Sequence, residues 1–105
     1  MANVNKMYTY LRGFLVGANM KESLKALQFA RQAHDGQIRK DGTPYIVHPI
    51  SMACYAIALG IKDDNIIATI LLHDTVEDCG VKIEYLPVNE TIKRAVKYMT
   101  ITSFD

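Results

Sequence analysis

The stretch from Asp63 to Val76 constrains the fold of this 105-residue chain more than any other. Aspartate is a preferred residue at the N-terminal cap of a helix. Asp63 and Asp64 are followed directly by the residues Asn-Ile-Ile-Ala-Thr-Ile-Leu-Leu. A helix that is apolar nearly all round must be covered on most sides by other elements. The stretch therefore predicts a central, buried helix with the rest of the chain packed around it.

Helical patterns occupy most of the remaining sequence, because apolar residues recur at intervals of three and four. The further predicted segments are helices over 3–17, 20–34 and 50–59, a short helical turn over 83–87 and a last helix capped by Asn89. Pro49 suits the first turn of its helix, which places His48 at a helix N-terminus. The sequence shows no repeat and no strand-like alternation of any length, so we predict an all-α bundle of five or six helices. The tail from Met99 to Asp105 is rich in β-favouring residues, and its structure stays open.

Composition excludes several classes of protein. The formal net charge is +1, so there is no general basic field that would attract nucleic acid. No apolar run approaches the roughly 20 residues that span a bilayer, and no signal peptide opens the chain, so we expect a cytoplasmic protein without membrane contact. Cys54 and Cys79 lack a paired spacing and are interpreted as free thiols. The length fits one domain over residues 1–105.

Candidate metal ligands are concentrated between positions 34 and 78, where all three histidines of the chain lie. His73 and Asp74 end the most apolar helix, and a buried carboxylate is costly there unless a partner or a metal satisfies it. Together with His48 they supply two imidazoles and one carboxylate. This set of ligands can hold a divalent metal and leave some of its coordination positions open. The spacing alone is equally consistent with an ordinary role of His73 and Asp74 in capping a helix or in packing the core. His34 ends a helix and is interpreted as a packing residue beside the site.

Two further carboxylates follow one turn after these ligands. Glu77 is four residues after His73 and three after Asp74, so it shares their helix face. A carboxylate beside a metal can position water or act as a general base, and Asp78 is the second candidate. The alternative for both is a solvated helix terminus.

Arg39 and Lys40 lie in the predicted loop over 35–45, just before His48. A guanidinium can bind phosphate through two hydrogen bonds or stack on a nucleobase, and an ammonium can supply a point charge. Basic residues in loops are ordinarily just solvated, and it is the nearby histidines and carboxylates that make these two candidates for substrate binding.

The segment from Ala26 to Asp78 resembles the HD-type hydrolase domain of the RelA/SpoT group, which includes small single-domain alarmone hydrolases. Three blocks carry the resemblance, in order and over about half of the chain. They are Ala33-His-Asp-Gly-Gln37, Arg39-Lys-Asp-Gly-Thr-Pro-Tyr-Ile-Val-His-Pro49 and Leu71-Leu-His-Asp-Thr-Val-Glu-Asp78.

The resemblance implies an all-α HD-domain fold, a bound Mn²⁺ and a guanosine nucleotide as substrate. The implied reaction removes the 3′-pyrophosphate from (p)ppGpp by attack of metal-activated water, which gives GDP or GTP. The implied residue roles are metal binding by His48, His73 and Asp74, handling of water by Glu77 and Asp78, and contact with guanine and phosphates by Arg39 and Lys40.

One departure from the family pattern leads to a further expectation. The family's fourth metal ligand is an aspartate in a Leu-Ala-Asp-Arg-like helix, followed by an asparagine and a tyrosine of the nucleotide pocket, and the sequence reaches Asp105 without such a motif. We therefore expect an HD-type hydrolase domain that is incomplete at its C-terminal side. The alternatives are an HD phosphohydrolase for another nucleotide, or a catalytically incomplete HD domain that binds nucleotide or a partner or forms a homo-oligomer.

Overall fold

The computed structural model describes residues 3–101 and consists of five α-helices and one short 3₁₀ helix, which confirms the all-α prediction. Between residues 3 and 101 there is no strand, and one isolated antiparallel bridge joins Ile38 to Pro44. The elements in chain order are α1 (Val4–Gly17), α2 (Lys21–Ala33), α3 (Val47–Ala58), α4 (Asp64–Cys79), the 3₁₀ helix (Ile83–Tyr85) and α5 (Glu90–Ile101).

Helix α4 is the centre of the bundle, as its apolar sequence predicts. It packs against α2, α3 and α5, while α1 packs against α2 and α3. Ile67, Leu71 and Leu72 of α4 are fully buried, although Ile66 remains 47% exposed, so the helix is not covered all round. The core around it contains Leu11, Leu15, Leu27, Ile50, Ile92 and Val96.

The ends of α4 are fixed by the two residues that flank it. The Asp63 carboxylate accepts hydrogen bonds from the backbone N–H groups of Asn65 and Ile66, at 2.9 and 3.2 Å. Gly80 ends the helix in the left-handed conformation at φ 68°, which favours glycine. The sequence predicted an end near Val76, and this boundary is wrong by one turn because the helix continues to Cys79. The extra turn contains Glu77 and Asp78.

The second aspartate of the predicted cap has a different role, because Asp64 caps α2 instead of α4. Its carboxylate accepts hydrogen bonds from the backbone N–H groups of Glu22 and Ser23, at 3.0 and 2.8 Å, and from the Ser23 hydroxyl at 2.6 Å. The residue before α2, Met20, provides no side-chain cap. A charged side chain of α4 therefore ties the start of α2 to the central helix.

The loop between α2 and α3 is anchored to the end of α4. Gln37 donates a hydrogen bond from Nε2 to the Asp78 carbonyl over 3.0 Å. Farther along, the Arg39 backbone N–H donates to the Thr43 carbonyl at 2.8 Å and closes the tip of the loop. Because this loop is anchored there, α3 begins next to the C-terminal half of α4.

The remaining predictions concern the ends of the chain and the cysteines. Asn89 caps α5 as predicted, since its Oδ1 accepts from the Ile92 N–H at 2.9 Å. Both cysteines are free and half-buried. The sequence left the structure of the tail from Met99 to Asp105 undecided. Met99 to Ile101 belong to α5, and residues 102–105 lie outside the described residues. Across residues 3–101, every helix is too short or too polar to cross a membrane.

Candidate metal centre

The structure brings His48 of α3 together with His73 and Asp74 of α4, although His48 and His73 are 25 positions apart in the chain. His48 lies in the first turn of α3, and the other two lie in the last two turns of α4. Their candidate ligand atoms all lie within 4.8 Å of one another. This cluster is the set that the sequence singles out as metal ligands.

His73 is oriented by the backbone of its own helix. Its Nδ1 lies 2.7 Å from the carbonyl oxygen of Ile70, and a carbonyl can only accept, so Nδ1 carries a proton. Its Nε2 faces the Asp74 carboxylate, 3.0 Å from Oδ1. The hydrogen bond to Asp74 raises the pKa of His73, although burial opposes the shift. In the neutral ring, Nε2 is therefore the atom with a free lone pair.

Asp74 is 9% exposed and is surrounded by groups that favour its charged form. Burial raises its pKa, but the hydrogen bonds from His73 and from the Tyr45 hydroxyl outweigh burial and lower it. The Tyr45 hydroxyl donates to Oδ2 over 2.9 Å, and the His48 Nε2 lies 3.6 Å from the same oxygen. The carboxylate is thus held ionised between two imidazoles.

His48 is the more exposed of the two histidines, with 34% of its side chain accessible. Burial lowers the pKa of His48, the Asp74 charge opposes that effect, and the positive charge of Arg39 adds to it. The net lowering favours the neutral imidazole that a metal requires.

The arrangement fits one divalent cation. Ligand atoms on opposite sides of such an ion lie about 4 Å apart, because each ligand atom is about 2 Å from the metal. The three candidate ligand atoms all lie within 4.8 Å of one another, which is close to that span. Two imidazoles and one carboxylate suit first-row transition metals better than Mg²⁺ or Ca²⁺, which prefer oxygen ligands throughout.

Glu77 and Asp78 lie in the wall of the same cleft. The cleft is lined by Tyr45, His48, His73, Asp74, Glu77, Asp78 and Met99. Both acidic side chains belong to exposed residues. The Glu77 charge contributes to the raised pKa of His73, and the Asp78 carboxylate contributes to that of Tyr45. Both acids are therefore within electrostatic reach of the cluster.

Arg39 and Lys40 are both exposed near the tip of the α2–α3 loop. The charge of Arg39 reaches the site, since it contributes to the lowered pKa of His48. Among residues 3–101, Lys40 forms no hydrogen bond or ion pair with a site residue, so its predicted role depends on a ligand that extends out of the cleft.

Sequence reasoning did not single out Tyr45 or Met99. Burial raises the pKa of Tyr45 far above its ordinary value, and its hydrogen bond to Asp74 adds to that effect. The available signal was the position of Tyr45, three residues before His48 in the matched block. Met99 had no signal, because it reaches the cleft only through the packing of α5 on α4.

A separate groove runs between α4, the 3₁₀ helix and α5. Its floor is apolar, and its rim includes Lys82, Arg94 and Lys97 together with two glutamates. None of the predicted site residues lines it, so this groove is not part of the candidate metal centre.

Comparison with known proteins finds one family and several curated relatives. A family model described as HD domain matches residues 26–99, which is more than half of the chain and includes all the predicted site residues. A protein of Mycobacterium leprae named "Probable GTP pyrophosphokinase" is 41% identical over 73 residues, covering 70% of this chain and 9% of that protein.

Two other relatives carry names that mention hydrolysis. "Guanosine-3′,5′-bis(diphosphate) 3′-pyrophosphohydrolase" of Aquifex aeolicus is 44% identical over 64 residues, covering 61% of this chain and 9% of that protein. "Bifunctional (p)ppGpp synthase/hydrolase SpoT" of Escherichia coli strain K12 is 37% identical over 68 residues, covering 65% and 10%. The chain therefore spans about a tenth of the length of the curated relatives that it matches.

Proposed function

Because this chain belongs to the HD domain family, we propose that it is a metal-dependent phosphohydrolase that removes the 3′-pyrophosphate from (p)ppGpp. The observation that carries the proposal is the cluster of His48, His73 and Asp74 with two carboxylates in the same cleft. The names of relatives such as the Aquifex aeolicus pyrophosphohydrolase support the choice of substrate. The products would be GDP or GTP and pyrophosphate.

His48, His73 and Asp74 would hold the cation, which we propose to be Mn²⁺. When bound, a divalent cation withdraws charge from a phosphate oxygen and lowers the pKa of a coordinated water molecule. The protein's contribution is to favour the neutral form of His48, to leave the lone pair of neutral His73 on Nε2 and to keep the Asp74 carboxylate ionised. The Ile70 carbonyl serves this purpose by fixing the proton of His73 on Nδ1.

Glu77 and Asp78 would position the attacking water and accept its proton on a carboxylate oxygen. Both belong to the rigid last turn of α4, so their distance from His73 and Asp74 is set by the helix. In that step the water oxygen would form a bond to the 3′-linked phosphorus, and the bond from that phosphorus to the ribose 3′-oxygen would break. The 3′-oxygen would leave as a hydroxyl by taking up a proton from solvent, and the carboxylate would return its proton to solvent. Arg39 and Lys40 would bind the guanine and the phosphates at the mouth of the cleft.

The experiment that tests this proposal measures GDP formation from ppGpp by the 105-residue chain with Mn²⁺. Its controls are the His73→Ala variant and wild-type protein with excess chelator. We expect turnover that is lost in both controls. Mn²⁺ binding without GDP formation would contradict the alarmone assignment, and turnover of other nucleoside phosphates in its place would support an HD phosphohydrolase of different specificity.

A further inference from the structure

Tyr45 connects the candidate metal site to the loop before α3. Its hydroxyl donates to Asp74 Oδ2 over 2.9 Å, and its ring meets that of His48 edge-on, with centroids 5.8 Å apart. This tyrosine therefore contacts one candidate ligand on each of the two helices that build the site.

The ring of Tyr45 is supported from behind by His34. The two rings stack at a centroid distance of 4.7 Å and an angle of 28° between their planes. His34 is 2% exposed, and its Nδ1 lies 2.9 Å from Oε1 of Gln37, the residue that anchors the loop to α4. The position of the phenol is therefore set by a buried, hydrogen-bonded support.

The second ring nitrogen of His34 strengthens this interpretation. Its Nε2 is buried and has no hydrogen-bond partner among residues 3–101. A buried polar atom without a partner costs stability. The contacts that the buried His34 ring does form include the stack with Tyr45 and the hydrogen bond at Nδ1.

We propose that Tyr45 is a positioning residue that orients the Asp74 carboxylate toward a metal between His48 and His73. The inference rests on the metal centre of the proposed function. Within residues 3–101, Asp74 has three polar side-chain partners, and two of them are the histidines that would bind the metal themselves. The phenol is the partner for which a metal does not compete, so its hydrogen bond persists when the site is loaded. Outer hydrogen bonds of this kind fix the direction of a ligand's lone pairs.

The test compares Tyr45→Phe with wild type and with Tyr55→Phe, using Co²⁺ as the probe. Phenylalanine retains the ring contacts and removes the hydroxyl alone, while Tyr55 is 67% exposed on α3 and serves as the matched control. We expect Tyr45→Phe to bind Co²⁺ about 10–100-fold more weakly. At saturating Co²⁺ its visible absorption band should also change in energy or intensity, since that band reports the geometry of the ligands. Tyr55→Phe should match wild type in both measurements.

The outcomes separate this inference from the proposed function. If wild type binds Co²⁺ and Tyr45→Phe has the same Co²⁺ affinity and absorption spectrum, the role of Tyr45 is overturned while the proposed metal centre stands. Wild type that binds no Co²⁺, Mn²⁺ or Zn²⁺ would overturn both. Far-UV circular dichroism checks that the variant is folded. Should it not fold, His34→Ala removes the supporting ring and is expected to weaken Co²⁺ binding, and unchanged binding in that variant would contradict the inference.

Discussion

At the scale of single residues, His73 is constrained through both of its ring nitrogens. Nδ1 donates to the Ile70 carbonyl, and Nε2 faces the Asp74 carboxylate, so the protonated ring has a partner on each side. The hydrogen bond to Asp74 therefore raises the pKa of His73 above its ordinary 6.5. A group whose pKa is raised by folding contributes stability that is complete below its unfolded pKa and is lost as pH rises through the folded value.

We therefore expect the metal-free protein to lose the His73 contribution to stability as pH rises from below 6.5 through the raised pKa of His73. The measurement is urea unfolding of chelator-treated wild type and His73→Gln across that range. Both proteins retain His48, whose pKa shifts in the opposite direction, so the difference in unfolding free energy reports His73 together with its electrostatic effect on His48 and Asp74. That difference should shrink with rising pH, and a constant or growing difference would contradict the expectation.

Arg39 supports a second prediction at this scale, because its charge lowers the pKa of His48. Arg39→Ala should raise the pKa of His48, which NMR titration of the imidazole in metal-free protein measures directly. It should also raise KM for an anionic nucleotide about tenfold, since a charge-assisted hydrogen bond contributes about 1.5 kcal/mol or more. Lys62→Ala is the control, because Lys62 is not among the main charges that shift the pKa of His48. An unchanged titration of His48 in Arg39→Ala would refute the electrostatic link.

The same residues indicate how far the sequence alone predicts the candidate site. His48, His73 and Asp74 could be singled out because their chemical types and their places at helix ends are local properties. Tyr45 could not, because its significance comes from a contact with Asp74 across 29 positions. The stack of His34 on Tyr45 is likewise a product of packing, and a pattern of helix periodicity contains no information about it.

At the scale of helices, the two aspartates before Asn65 cap two different helices. Asp63 caps α4, the helix to which it is adjacent, whereas Asp64 satisfies the N–H groups at the start of α2. The sequence predicts a cap for α4 because capping is a local preference. It cannot predict the cap of α2, since that contact joins positions 41 and 42 apart and exists only in the packed bundle.

We expect Asp64→Ala to destabilise the protein more than Asp63→Ala does. Loss of an ordinary N-cap costs about 1 kcal/mol. Asp64→Ala also leaves the Ser23 and Glu22 N–H groups without their partner at a part-buried site, which should cost about 2–3 kcal/mol. Urea unfolding of the two variants under identical conditions measures both values. Equal losses would show that the contact between Asp64 and α2 contributes little.

The last turn of α4 shows a conflict between helix stability and the proposed chemistry. Glu77 and Asp78 lie at the C-terminal end of the helix, where the backbone dipole disfavours negative charge, and no basic residue occupies that turn. The sequence-based boundary near Val76 followed the last apolar residue and therefore missed this turn. Local rules of this kind are most often broken at functional sites, which agrees with the role proposed for the two carboxylates.

At the scale of the whole molecule, a bound metal would connect α3 and α4 through His48 and His73, which are 25 positions apart in the chain. Binding to the folded protein alone stabilises it by about 2.7 kcal/mol when the free metal is at a hundred times Kd. For a domain of this size we expect a rise in Tm of about 10–20 °C, because 1 kcal/mol corresponds to about 4–8 °C. Thermal unfolding with Mn²⁺ and with chelator measures the shift.

Two controls make this last prediction specific to the candidate centre. His73→Ala removes one imidazole while the Asp63 and Asp64 caps remain, so the rise in Tm with Mn²⁺ should disappear in that variant. Mg²⁺ at the same concentration should have little effect on wild type, because it prefers oxygen ligands and gives up its water molecules reluctantly. A rise of equal size with Mg²⁺, or one that persists in His73→Ala, would mean that the cation binds elsewhere, for example at the exposed carboxylates. A rise that needs both His73 and a transition metal assigns the ion to the candidate centre, and loss of the rise in His48→Ala as well would require α3 and α4 to hold one ion between them.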